Sequence, residues 1–186
     1  MRTIIPHTEN PALREIAKAV PVADITSPFI KTLIKDMKAL LKKEPQGVAI
    51  AAPQLGYALQ IFVVSGEALE KRSTKYDDEV ATDMPIADEV YINPTLLKMS
   101  RGKKEKHEGC LSIRGKWGMV PRAEKATITA YDEHGKKFTR GASGFLAHIF
   151  QHETDHLNGI LYTDKAASIS DDKDKDVSDE DQENHE

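Results

Sequence analysis

His152 and His156 stand one turn apart in Gln151-His152-Glu153-Thr154-Asp155-His156, and the chain beyond them offers little with which to complete a metal shell. At about 100° per residue the two imidazoles share one helix face and can bind a single ion, while Glu153 lies around the helix from them, able to approach a water without being a ligand. A catalytic metal site usually takes three protein ligands and one open position. One class of metallopeptidase continues the pattern as His-Glu-x-x-His-x-x-Gly-x-x-His. This chain follows it through Gly159 and then has Tyr162 where the third histidine would stand. From Asp164 to Glu186 there are ten acids against three lysines, and after Ser168 only Ile169 and Val177 are aliphatic. Such a segment buries too little apolar surface to offset its ordering entropy. Residues 166–186 are therefore expected to form a disordered acidic tail, with no later helix to supply a carboxylate ligand, and the third ligand has to come from upstream.

His148 is the nearest upstream candidate, but it lies about 9 Å along the helix axis from an ion held between His152 and His156. It suits a helix surface or pocket wall better than the metal shell. Cys110 is the better candidate. It is the single cysteine of the chain and sits in Glu108-Gly109-Cys110-Leu111-Ser112, where a glycine lets the backbone come close to a neighbour. One cysteine excludes an internal disulfide; composition alone leaves it a buried residue, a reactive thiol or one member of a mixed metal shell.

The 186 residues carry a net charge of -4, but the segment 164–186 carries -7, which leaves +3 on residues 1–163. The folded part, residues 1–165, is therefore slightly basic and long enough for one domain with a real core. Ser27 and Pro28 read as an N-cap and first helical position, and Phe29, Ile30, Leu33, Ile34, Met37, Leu40 and Leu41 repeat at helical spacing, predicting a helix over 28–44. Short strands are expected at 60–65, 89–93, 95–100, 126–131 and 137–140, the last two joined by the turn Asp132-Glu133-His134-Gly135. Residues 66–88 read as an irregular polar surface insertion, and a second helix is expected over 142–158, stopped by Gly159. Short, turn-linked strands favour antiparallel pairing, so the class is α+β. No apolar run approaches the length of a membrane span and Met1 to Pro6 lacks signal-peptide character, so a cytoplasmic protein is expected.

Three segments in order, Gly47-Val48-Ala49-Ile50-Ala51-Ala52-Pro53-Gln54, Glu108-Gly109-Cys110-Leu111-Ser112 and Gln151-His152-Glu153-Thr154-Asp155-His156-Leu157, closely resemble the three motifs of bacterial-type peptide deformylases. The likeness extends from about Ile4 to Tyr162 and includes Tyr91-Ile92-Asn93-Pro94 and Val120-Pro121-Arg122. The resemblance implies antiparallel strands packed around a C-terminal metal-binding helix, with an N-terminal helix, the catalytic domain filling residues 1–165. It implies that Cys110, His152 and His156 bind one divalent metal, Fe2+ in the cell, with Zn2+, Ni2+ or Co2+ as substitutes compatible with a sulfur and two imidazoles. Glu153 would move the proton, and Gln54 and the backbone N–H of Leu111 would stabilise the oxyanion. Gly47, Val48 and Ala49 would lie along the substrate, with Glu108 and His148 among the substrate contacts.

The implied reaction removes the formyl group from the formylmethionine of nascent peptides, releasing formate. That places the protein transiently near ribosomes, with neither DNA nor membrane as a partner. A non-catalytic metal-binding relative would not need Glu153, and an amidase or metallopeptidase of different substrate fits poorly with the Gln54 and Cys110 segments. The chain departs from the pattern at Ala49, where glycine is usual, and at Arg114 and Trp117, where Pro and Arg are common. Trp117 reads as partly buried packing or as a stacking surface for a peptide side chain. Arg114, Lys116 and Arg122 read as a solvated basic loop or an attractor for acidic peptide groups.

Overall fold

The computed structural model describes residues 2–73 and 86–171. Helix α1 (Pro28–Leu41) starts where the sequence placed it, the Ser27 side chain accepting the N–H of Ile30 at 3.4 Å, and it stops at Leu41, three residues before the expected end. Strand β1 (Ala49–Ala51) follows, then β2 (Ile61–Val64) and helix α2 (Gly66–Ser73). The expected irregular insertion thus begins as a helix, and Ala68 and Leu69 on it are buried; residues 74–85 lie outside the described residues. The two strands expected at 89–93 and 95–100 are one, β3 (Glu89–Met99), with a shift in register between Ile92 and Thr95. Asn93, at φ 50, explains the irregularity: its side chain accepts the N–H of Val20 at 2.8 Å and donates to the Val20 carbonyl at 2.7 Å.

A long hairpin that the periodicity did not announce follows, β4 (Lys103–Cys110) and β5 (Ile113–Ala123). Then come β6 (Lys125–Tyr131) and β7 (Lys137–Ser143), whose turn is fixed by the Asp132 carboxylate accepting the N–H groups of His134 and Lys136 and by Gly135 at φ 82. Helix α3 (Gly144–Leu157) carries the histidine pair, and β8 (Ser168–Asp171) ends the described chain.

All pairings between strands are antiparallel, in a five-stranded sheet ordered β1-β2-β3-β6-β7 and a three-stranded sheet ordered β4-β5-β8. Alternation along β2 shows how the larger sheet is covered. Phe62 and Val64 pack with Leu146, Ala147, Ile149 and Phe150 of α3, while Ile61 and Val63 pack with Ile30, Leu33, Ile34 and Met37 of α1. The sheet is therefore buried on both faces along β2, between a helix from each end of the chain. A third cluster, Leu13, Ile113, Val120, Leu161 and Tyr162, joins the smaller sheet to the segments flanking it, and Cys110 packs against this cluster.

Strand β8 corrects the expected tail. It pairs with β5 from Met119↔Ser168 to Lys116↔Asp171, so the folded chain continues through Asp171, six residues past the expected limit. All four of its side chains are exposed. It is held by backbone ladder bonds to the edge of β5, which require no apolar residue and leave no compositional trace. The remainder of the expected tail, 172–186, lies outside the described residues.

Candidate metal centre

The two sheets meet at the histidine helix. His152 and His156 project from the same face of α3, and β4 delivers Cys110 to them at its end, where its register with β5 shifts between Glu108 and Cys110. Cys110 Sγ lies 3.4 Å from His156 Nε2, and the ligand atoms of Cys110, His152 and His156 all lie within 4.8 Å of one another. One sulfur and two imidazole nitrogens at this spacing fit a single divalent first-row ion. His156 is almost fully buried, and burial, reinforced by His152, pushes its pKa well below the ordinary value. Tyr162, standing where another class of enzyme has a third histidine, stacks beside the His152 ring at 6.3 Å and donates its hydroxyl to the Lys116 carbonyl at 3.0 Å.

Glu108, expected among the substrate contacts, has both carboxylate oxygens occupied by other side chains. Oε1 accepts from Arg122 Nε at 2.6 Å and His148 Nε2 at 2.7 Å; Oε2 accepts from Arg122 Nη2 at 2.9 Å and His152 Nδ1 at 2.8 Å. Because the carboxylate only accepts, His152 carries its proton on Nδ1 and leaves Nε2 for the ion. Burial alone would raise the Glu108 carboxyl, but Arg122, His148 and His152 together hold it well below the usual carboxylate range. Arg122 is 4% exposed and also donates to Asp155 Oδ2 at 2.6 Å, while Lys165 donates to Asp155 Oδ1 at 2.6 Å. The reading of Arg122 as part of a solvated basic loop is thus incorrect. Its alternation with Val120 on β5 was the signal that it faces inward. Asp155 and Lys165, the rest of this network, carried no local signal.

A cavity of about 510 Å³ opens onto the centre. Val48, Ala49, Gln54, Glu108, Leu111, His148 and Glu153 are among the residues that line it, and Gly47 lies between two others, Gln46 and Val48. A Cβ on Gly47 would lie 2.9 Å from Leu41 and from Glu44, so the packing there leaves no room for a side chain. Gln54 is buried, its Oε1 accepting the N–H of Ala51 at 2.8 Å and its amide nitrogen lying 3.4 Å from Cys110 Sγ. Glu153 is buried with Oε2 lacking any hydrogen-bond partner, and burial pushes its carboxyl up to about 7 against the opposing pull of His152. The closeness that Gly109 permits is to Trp117, whose ring would be 2.9 Å from an added Cβ. Trp117 also lines the cavity, as do Arg114 and Glu44, which form a bidentate pair at 3.0 and 2.7 Å.

The sequence profile of the polypeptide deformylase family matches residues 1–172, which include all of the described residues. The chain belongs to the peptide deformylase family. It is 38% identical over 149 residues to "Peptide deformylase 2" of Ralstonia nicotianae, covering 80% of this chain and 79% of that protein. The crystal structure of a peptide deformylase from Legionella pneumophila superposes with a TM-score of 0.73 at 35% identity, covering 90% of this chain and 86% of the other. A class I type b peptide deformylase from Acinetobacter baumannii, crystallised with Met-Ala-Ser, gives a TM-score of 0.73 at 28% identity over 89% of this chain and 98% of its own. A deformylase is a metal-dependent hydrolase that takes the formyl group from newly made polypeptides, and that is the activity the site has to explain.

Proposed function

We propose that this deformylase hydrolyses the formamide of N-formylmethionyl peptides in the cavity between α3, the segment 48–54 and the β4–β5 hairpin, with the following division of roles. Cys110, His152 and His156 hold one divalent ion, Fe2+ in the cell, for which Zn2+, Ni2+ or Co2+ can substitute. Bound there, the ion supplies Lewis-acid activation of water and of the formyl oxygen. Glu153 takes up the proton released as water attacks and returns it to the departing α-amine, because its buried Oε2 is free of protein partners and its raised pKa lets it both accept and give a proton near neutral pH. This orphaned carboxylate oxygen is the observation that carries the catalytic reading; a structural site has no use for it.

Gln54 is held by the Ala51 N–H through Oε1, so its amide NH2 group is preset toward the centre without reorganisation. It donates to the oxygen that gains charge on attack, and the backbone N–H of Leu111 is the second donor. Val48 and Ala49, at the open edge of β1, lie along the peptide. A formyl group carries hydrogen where acetyl carries methyl, so a close-fitting site excludes acetylated peptides by size. Among the described residues no helix is long and apolar enough to cross a membrane, and the substrate is a nascent chain. A cytoplasmic enzyme working transiently near ribosomes accords with both.

The test is formate release from formyl-Met-Ala-Ser, with acetyl-Met-Ala-Ser and Met-Ala-Ser as controls, on freshly prepared protein of measured metal content. Release from the formylated peptide alone, in proportion to metal bound, is expected. Cleavage of internal bonds only would overturn the reading.

A further inference from the structure

We propose that His148 is a positioning residue of the metal centre: it clamps the Glu108 carboxylate and, through it, fixes the tautomer and ring orientation of His152. The inference rests on the reading of Cys110, His152 and His156 as metal ligands. His148 lies one turn before His152 on the same face of α3 and is 6% exposed. Its Nε2 is engaged by Glu108 Oε1 at 2.7 Å, which removes it from the ligand set and gives its proton a defined place. Each Glu108 oxygen thereby receives one arginine and one imidazole donor, the two imidazoles one helical turn apart.

The symmetry has a mechanical consequence. Arg122 alone grips the carboxylate from the side of β5, and His152 is the group being oriented. His148 supplies the remaining anchor, on the rigid helix that also carries the ligands. Without it Oε1 keeps a single donor, the carboxylate can turn about its Arg122 contacts, and the hydrogen bond that directs His152 Nδ1 loosens. Partners in this outer position typically govern metal affinity by about 10- to 100-fold. His148 acts through Glu108, so the lower end of that range applies. The edge-on contact with Phe145 at 6.4 Å and the place of the ring in the cavity wall permit a different, purely steric role, which the test separates.

The experiment loads the full-length protein with Co2+, whose thiolate absorption reports occupancy through Cys110, and follows its release into excess chelator. His148→Phe keeps the bulk and lacks the donor, His148→Leu lacks both, and His148→Gln returns an N–H donor at similar reach. We expect Phe and Leu to release Co2+ about tenfold faster than the parent and Gln to stay within about twofold of it. On formyl-Met-Ala-Ser the Phe variant should lose kcat with KM little changed. Unchanged release in both Phe and Leu variants, with KM raised, would make His148 a wall residue and overturn the proposal. So would equal acceleration in all three variants with a matching fall in thermal midpoint. Should the parent show the expected release pattern and no formate release, positioning stands and the deformylation reading fails.

Discussion

Arg122→Met is the most informative single perturbation of this fold, because the arginine ties the three-stranded sheet to the helix that carries the histidine pair. It is 4% exposed and makes three charge-assisted hydrogen bonds, two to Glu108 at 2.6 and 2.9 Å and one to Asp155 at 2.6 Å. At about 1.5–3 kcal/mol each, these bonds sum to roughly 5–9 kcal/mol. Relief of burying the guanidinium, and packing by the methionine, offset part of this. Glu108 then stays buried with only His148 and His152 as partners, and Asp155 with only Lys165. Breaking a buried pair by removing one partner costs about 3–5 kcal/mol, and that is the expected loss. For a protein of this length it corresponds to a fall of about 6–20 °C in thermal midpoint. Urea midpoints with and without saturating metal measure it, since bound metal adds its own mass-action stabilisation. The slope should be unchanged, and a cycle with Asp155→Asn should show coupling of at least about 1 kcal/mol. A loss below about 1 kcal/mol, or additive single variants, would mean that the network is not what joins the three-stranded sheet to α3.

The remaining predictions concern chemistry and core separately. Glu153→Ala should keep the metal, measured by elemental analysis, while kcat falls by about 10²- to 10⁴-fold; loss of metal instead would place Glu153 in the ligand shell. Gln54→Leu, which cannot donate to the oxyanion, should lower kcat by about 10²- to 10³-fold with a smaller change in KM. Leu33, fully buried where α1 meets the larger sheet, should cost about 2–5 kcal/mol when cut to Ala, read by urea unfolding, with metal affinity unaffected. Truncation after Asp171 should leave thermal midpoint and kcat/KM as they are, whereas truncation after Ala167 removes β8 and should lower the midpoint.

What the sequence disclosed follows from where its signals are local. Helices α1 and α3 bury one stripe each against a sheet, so apolar residues recur at helical spacing and both helices were legible to within a few residues. The candidate ligands were legible because two of them share a helix face and the third is the sole cysteine. Strand β4 was not, because Lys103, Lys104, Glu105 and His107 leave it almost without apolar residues, and it is held by its ladder with β5. The same holds for β8. Arg122 was not legible for a related reason: a lone charged residue reads as exposed, and the pairings that bury this one join positions 14 and 33 residues apart.

That pairing also explains how a centre assembled from separate sheets can be rigid. Cys110 belongs to the three-stranded sheet and the histidines to a helix packed on the five-stranded one, and no strand is shared between the two sheets. Apolar packing across such a seam is tolerant of small slides, whereas a ligand set needs placement within about 0.5 Å. The chain Lys165–Asp155–Arg122–Glu108, ending on His148 and His152, crosses the seam through directional bonds of 2.6–2.9 Å. The three inner members, Asp155, Arg122 and Glu108, are each held from both sides, so a slide of the small sheet would break several of these bonds at once. The Cys110 sulfur and the imidazoles are thereby held in one frame, and this is why the network should matter to metal retention as well as to folding.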